Sequence, residues 1–112
     1  MNARYVQRGE AIDYTPENDV SAGDVVRLGG LVGVAKLDIK AERLGALALT
    51  GIYELPLKDG ESVVPGDLVY FDAAAGVATK TAGGGAIPFG HAVNAATGPG
   101  TMVHARLQQG LG

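Results

Sequence analysis

The sequence predicts an all-β fold, a small sandwich or partly open barrel of about eight or nine short strands and hairpins. Three observations carry that expectation. Apolar residues recur with period two rather than 3.6. Turn residues interrupt the apolar runs every ten or so positions, the spacing of a many-stranded β module. Gly (18) and Pro (5) together make up about one residue in five of the 112, against roughly one in eight in average usage. The hydrophobic share is 46%, yet aromatics are 5% and Trp and Cys are absent, so the core must be assembled from Ala, Val and Leu.

Taken in order, strands are expected near Tyr5–Val6, Ala11–Tyr14, Val25–Leu28, Leu31–Leu37, Leu47–Leu55, Leu68–Phe71, Val77–Lys80, Ile87–Asn94 and Thr101–Leu107. The punctuation between them has its own chemistry. Ala22-Gly23-Asp24 precedes Val25 and Pro65-Gly66-Asp67 precedes Leu68. Pro followed by Gly suits the two central positions of a type II turn, the second of which needs positive φ. Gly29-Gly30 has the length of a tight hairpin loop, and Asp72–Gly76 that of a longer one. Lys40–Leu47 is too short, with Gly45 inside it, to propagate as a helix and reads as loop or strand extension. Gly83, Gly84 and Gly85 mark a mobile loop over Thr81–Gly85. Ser21-Ala-Gly-Asp-Val-Val-Arg27 echoes Val64-Pro-Gly-Asp-Leu-Val-Tyr70, which reads as one favourable turn used twice, since a solenoid needs about three repeats. The organisation expected is a flexible arm over residues 1–9 and a single β domain over 10–112.

Composition and motifs narrow the function classes. Without Cys there is no disulfide framework, thiolate metal site or thiol nucleophile. The segment MNARYVQRGE has no apolar signal region, and no run reaches the roughly 18 apolar residues of a membrane span, so a soluble protein is expected. Nine basic and twelve acidic residues give a formal charge of −3 and a pI near 5.2, and the cations are spread along the chain rather than clustered as phosphate binding requires. Neither a Walker-type loop nor a dinucleotide fingerprint is present. His91 and His104 fit no metal-ligand spacing. Ser21 and Ser62 stand beside Gly-Asp turns, where a hydroxyl commonly bonds local backbone, and no Gly-x-Ser-x-Gly elbow occurs. No catalytic, cofactor-binding or metal-ligating residue is expected, and no nucleic-acid or membrane partner.

Tyr5-Val-Gln-Arg-Gly9, Ala22-Gly-Asp-Val-Val26, Gly29-Gly-Leu-Val-Gly-Val-Ala35, Thr50-Gly-Ile-Tyr-Glu-Leu-Pro56, Gly66-Asp-Leu-Val-Tyr-Phe-Asp72, Ile87-Pro-Phe-Gly-His-Ala92 and Val103-His-Ala-Arg-Leu107, in that order and spacing, resemble the capsid cement, or head decoration, proteins of tailed bacteriophages. The resemblance covers roughly residues 5 to 107. Such proteins often carry a label as RecA/RadA-type recombinases, which fails here because the chain has no ATP-binding loop and is too short for that ATPase core. The resemblance implies an all-β structural protein on the exterior of the virion, made in the cytoplasm of the bacterial host, with the major capsid protein as partner. It implies a homo-oligomer, a trimer rather than a dimer, and no enzyme activity. Pro88 departs from the uninterrupted strand expected in the last hairpin, which puts that strand's pairing edge in question.

The polar arm supplies the candidate contact residues, Arg4, Tyr5, Val6 and Arg8, which suit a segment that is loose in solution and adds as a strand to a capsid sheet. Two other readings remain. A small barrel binding carbohydrate or another ligand would line a groove with Tyr14, Tyr53, Tyr70, Phe71 and Phe89. A recombination accessory would present a basic face.

Overall fold

The structure is a computed structural model that describes residues 2–97 and 100–111. Its eleven strands are β1 (Ala11–Tyr14), β2 (Val25–Leu28), β3 (Leu31–Val34), β4 (Gly45–Ala48), β5 (Ile52–Pro56), β6 (Ser62–Val63), β7 (Leu68–Asp72), β8 (Val77–Thr79), β9 (Ile87–Ala92), β10 (Ala96–Thr97) and β11 (Met102–Leu107), and no helix occurs among the described residues. They form a four-stranded sheet, β1-β4-β3-β2, a five-stranded sheet, β5-β11-β9-β7-β8, and a ribbon, β10-β6. Every pair within these sheets is antiparallel. Just past β5, Leu57 makes a parallel bridge to Ala78 of β8, where the Lys58 N–H donates to the Ala78 carbonyl at 2.9 Å. That contact closes the five-stranded sheet on itself, so the expected all-β fold is an open sheet joined to a small barrel.

Turn chemistry explains where strands begin. Gly23 and Gly66 have φ of 92° and 98°, and Asp24 and Asp67 donate their N–H groups to Ser21 and Val64 carbonyls at 3.0 and 3.1 Å, as type II turns require. Each aspartate closes its turn a second time, because its Oδ2 accepts the N–H of Ser21 or Val64 at 2.9 Å. Gly29 alone of the Gly29-Gly30 pair has positive φ, 61°, giving the type II′ hairpin whose twist matches paired strands.

The structure corrects three expected strands and answers the question raised at Pro88. Tyr5–Val6 lies outside any strand. The run Leu31–Leu37 ends as a strand at Val34, and Leu37 is 78% exposed. Leu47–Leu55 splits into β4 and β5, which lie in different sheets. The corner is Gly51, whose φ is 120°, and a Cβ there would meet the Tyr53 ring at 3.2 Å. Pro88 does lie in β9, opposite Tyr70, but β11 pairs with β9 only along Gly90–Ala92. The missing N–H therefore falls beyond the end of the β11 ladder. Beside it, the pairing shifts between Val69 and Tyr70, leaving Phe89 as the extra residue of a bulge.

The echo between the two Gly-Asp turns is far more than one turn used twice. In the first half, Gly23 N–H donates to Ala35 O and Ala35 N–H to Asp24 O; in the second, Gly66 N–H donates to Ala92 O and Ala92 N–H to Asp67 O. The bridge Val20–Ile39 recurs as the pair Val63–Ala96. Gly33 opposes Val26 as Gly90 opposes Val69. Leu49 N–H reaches Glu10 O as Leu107 N–H reaches Gly51 O. The orders β1-β4-β3-β2 and β5-β11-β9-β7 are thus the same topology twice. The second copy differs by one insertion: β2 and β3 are joined by two glycines, whereas β7 and β9 are joined by a segment that contains β8.

β3 links the halves. Val32 and Val34 belong to the barrel's core, with Leu55, Leu57, Val63, Val69, Phe89, Val103 and Leu107, while the neighbouring Ala35 packs with Ile39 and Leu47 in a smaller cluster on the other face. Strands β3 and β4 pair only at Val34–Ala48. Into that gap the Gln109 side chain inserts, its Oε1 accepting Val32 N–H at 2.9 Å and its Nε2 donating to the Val32 and Leu49 carbonyls at 2.7 and 3.1 Å. The amide satisfies backbone groups that a strand partner would otherwise satisfy.

Candidate interaction surface

The arm runs into β1, an edge strand of the four-stranded sheet. Gln7 Nε2 donates to the Ala11 carbonyl at 3.2 Å, and Arg8 pairs with Glu10 at 3.6 Å. That ion pair is exposed and is worth about 0–1 kcal/mol. Of the four residues expected to make contact, Tyr5 and Val6 are 78% and 79% exposed and Arg4 is exposed beside them. Two apolar side chains flanked by two cations therefore stand in solvent, with no acid between residues 2 and 9.

A second surface escaped sequence reasoning. Leu37 and Leu44, the latter 72% exposed, rim a groove of about 800 Å³ whose floor includes Ile39, with Lys36, Lys40 and Arg43 around it. Gly45 makes that floor possible, since a Cβ there would lie 2.7 Å from the Ile39 side chain. The loop holding the rim is fixed by carboxylates: Asp38 Oδ1 accepts Ala22 N–H, and Asp19 Oδ1 accepts Ala41 N–H, both at 2.8 Å. Glu10 and Asp38 share the groove with the three cations, so its local charge is weakly positive. Nothing in the sequence marks it, because Leu37 and Ile39 read alike although only Ile39 turns inward.

Two of the five aromatic residues that a ligand groove would need, Phe89 and Tyr53, pack into the barrel instead. Phe89 is fully buried and packs edge-on against Tyr53, ring centroids 6.2 Å apart. The Tyr53 hydroxyl donates to Thr50 O at 2.8 Å, and burial raises its pKa. The Leu37–Leu44 groove has no aromatic lining. The two histidines have separate partners, His91 Nδ1 with Gln108 Oε1 and His104 Nε2 with Glu54 Oε2. Among the described residues no three potential metal ligands cluster. The Glu61 carboxylate accepts from Thr79 Oγ1 and Lys80 N–H, each at 2.7 Å, and so ties β8 to β6.

Asp67 is held both by its own turn and by a cation. Its pKa is lowered chiefly by the Val64 N–H hydrogen bond, with Lys80, 3.4 Å away, assisting against some desolvation. A depressed carboxylate stabilises the fold above its unfolded pKa, near 4, and that contribution is lost as pH falls through the folded value. Asp67→Asn should therefore be less stable than the parent at pH 7, and the difference should shrink below about pH 4. Urea midpoints across that range check this; a difference independent of pH would show that the carboxylate charge is not involved.

An all-β module with one topology used twice, an exposed apolar–basic arm and a basic-rimmed apolar groove is equipped for contact with other macromolecules. Its polar side chains hold turns and strand ends. Residues 6–107 match the family model described as phage cement protein, and the chain belongs to that family. The match begins at Val6, so Val6 and Arg8 fall inside it and Arg4 and Tyr5 precede it. No curated protein and no solved structure matches the chain. Membership gives the protein a capsid cement, or decoration, role and a place on the virion. No helix among the described residues is long and apolar enough to cross a membrane.

Proposed function

We propose that this cement protein binds the outer surface of the phage head as a homo-oligomer, a trimer, and stabilises the lattice of the major capsid protein without catalysis. Family membership across nearly the whole chain carries the reading. Physical support comes from the surfaces. Symmetry repeats each patch, so modest contacts raise avidity by large factors once several engage together. The net charge of −3 keeps free subunits soluble and away from DNA. The intermolecular contact is assigned to the arm, where Arg4, Tyr5, Val6 and Arg8 pair by strand addition with an open sheet edge in the assembled shell.

The test is incubation of the purified chain with expanded, undecorated heads of the matching phage, followed by sedimentation. Saturable co-sedimentation, with a higher temperature of head disruption, is the expected result. A chain that stays in the supernatant at micromolar concentration overturns the reading.

A further inference from the structure

The internal repeat shows what the first half lacks. In the second half β8 lies between β7 and the segment after β5, antiparallel to the first and parallel to the second. The matching place, between β2 and the segment after β1, holds no strand among the described residues: β2 pairs with β3 alone. Equivalent core positions register the vacancy. Leu55, Val63 and Val69 are buried around β8, while their counterparts Tyr14, Val20 and Val26 are only half-buried. Pro16 and Leu57, which match by the same register, are both buried, so the framework of the position is kept and only its strand is missing.

The backbone there is ready for pairing. Ala35 N–H donates to Asp24 O, and the alternation of antiparallel ladders puts Val26 and Leu28 in the bonded pairs with β3. The N–H and C=O groups of Val25 and Arg27 therefore face the open edge. On the opposite wall, Glu17 stands where Lys58 donates to β8, and Asn18 where Glu61 holds the end of β8.

We propose that this slot receives the N-terminal arm, residues 2–9, of a second copy of this chain. This rests on the oligomeric cement reading and names the edge that the arm joins. Charge favours the pairing through Glu17, which stands on the wall of the slot, while Asp19 beside it is already engaged by the Ala41 N–H at 2.8 Å and by Lys40 at 3.8 Å; the arm brings Arg4 and Arg8 with no acid. Burial favours it as well, because the arm exposes Tyr5 and Val6 while the slot leaves Tyr14, Val20 and Val26 incompletely covered. The chain's own arm leaves from β1, at the other edge of the same sheet, and is held there by the Gln7–Ala11 hydrogen bond. Passing arms from copy to copy in one direction closes a ring.

The experiment compares the full chain with one lacking residues 1–8, by sedimentation equilibrium and amide hydrogen exchange. The full chain should be oligomeric, with the Val25 and Arg27 amides protected. The truncated chain should be folded and monomeric, and those two amides should exchange at least about tenfold faster. A synthetic peptide of residues 1–10, added to the truncated chain, should restore the protection. Arg27→Pro, which removes an N–H that only an incoming strand would use, should also be monomeric; where it fails to fold, the truncation and peptide decide. A truncated chain that remains oligomeric but no longer binds heads overturns the proposal in favour of a capsid strand as the arm's partner. A monomeric full chain, or unprotected Val25 and Arg27 in the oligomer, overturns it as well. An arm-linked oligomer that ignores undecorated heads would instead remove the cement reading and leave the slot assignment standing.

Discussion

Gly90→Ala should leave almost no cooperatively folded protein. A Cβ at this position would overlap the Arg106 carbonyl oxygen and lie 2.8 Å from its carbon. The obstacle is space, since Gly90 does not have positive φ. Neither backbone can yield easily. β11 is paired on both sides, with β5 and with β9, and the ladder continues through Val93 N–H to His104 O at 2.8 Å and Gln108 N–H to Phe89 O at 2.9 Å. Separating these strands disrupts central pairs of the barrel and costs about 4 kcal/mol or more, a large part of the roughly 5–15 kcal/mol that keeps a domain folded. The repeat supplies an internal control. Gly33 is the equivalent residue, and a Cβ there would lie 2.9 Å from Leu47 Cβ and 3.3 Å from the Ala48 carbonyl oxygen. β3 and β4 are already splayed, with the Gln109 amide between them, so Gly33→Ala should cost only about 1–3 kcal/mol. Urea unfolding of both variants checks the contrast, and equal midpoints would show that the crowding at Gly90 is relieved elsewhere.

The strands legible in the sequence were those bounded by turn residues or carrying an unbroken apolar run, β1, β2, β7, β8, β9 and β11 among them. β2 begins after Asp24 and β7 after Asp67 because a turn glycine and an aspartate side chain close the preceding loop. Period two could not mark the corner at Thr50-Gly51, since apolar residues continue through it and the bend depends on a glycine φ and the Tyr53 ring. β6 and β10 are two residues each, too short to show a period. The repeat was faint for a related reason. It is held by backbone hydrogen bonds, which dictate only the Gly-Asp turn and the Gly-x-Ala of β3 and β9, and leave the remaining positions free to diverge. Of the candidate surfaces, the arm was visible in composition, because a polar segment before the first strong turn has no core to join. The Leu37–Leu44 groove and the β2 slot are made by the course of the backbone, and no local pattern encodes them.

Poverty in aromatics concentrates the barrel's stability in one ring. Phe89, at the bulge of β9, is fully buried and packs edge-on against Tyr53. Phe89→Ala should therefore destabilise the protein by about 3–5 kcal/mol, the range for deleting a buried aromatic side chain. The core around it is Val, Leu, Ile and Ala, and the strand that carries Phe89, β9, is paired on both sides with β7 and β11, which resists sliding inward to fill the space. At roughly 4–8 °C per kcal/mol for a chain near this size, the melting temperature should fall by about 12–40 °C. Phe89→Leu keeps most of the buried volume and should lose less than half as much. The Tyr53 hydroxyl bond to Thr50 does not involve Phe89, and both variants lose the ring contact, so loss beyond the leucine value reports the cavity. Calorimetry of the parent and the two variants checks this. An alanine variant melting within a few degrees of the parent would mean that the core of small side chains repacks, and that stability is spread over the sheet instead of gathered at this ring.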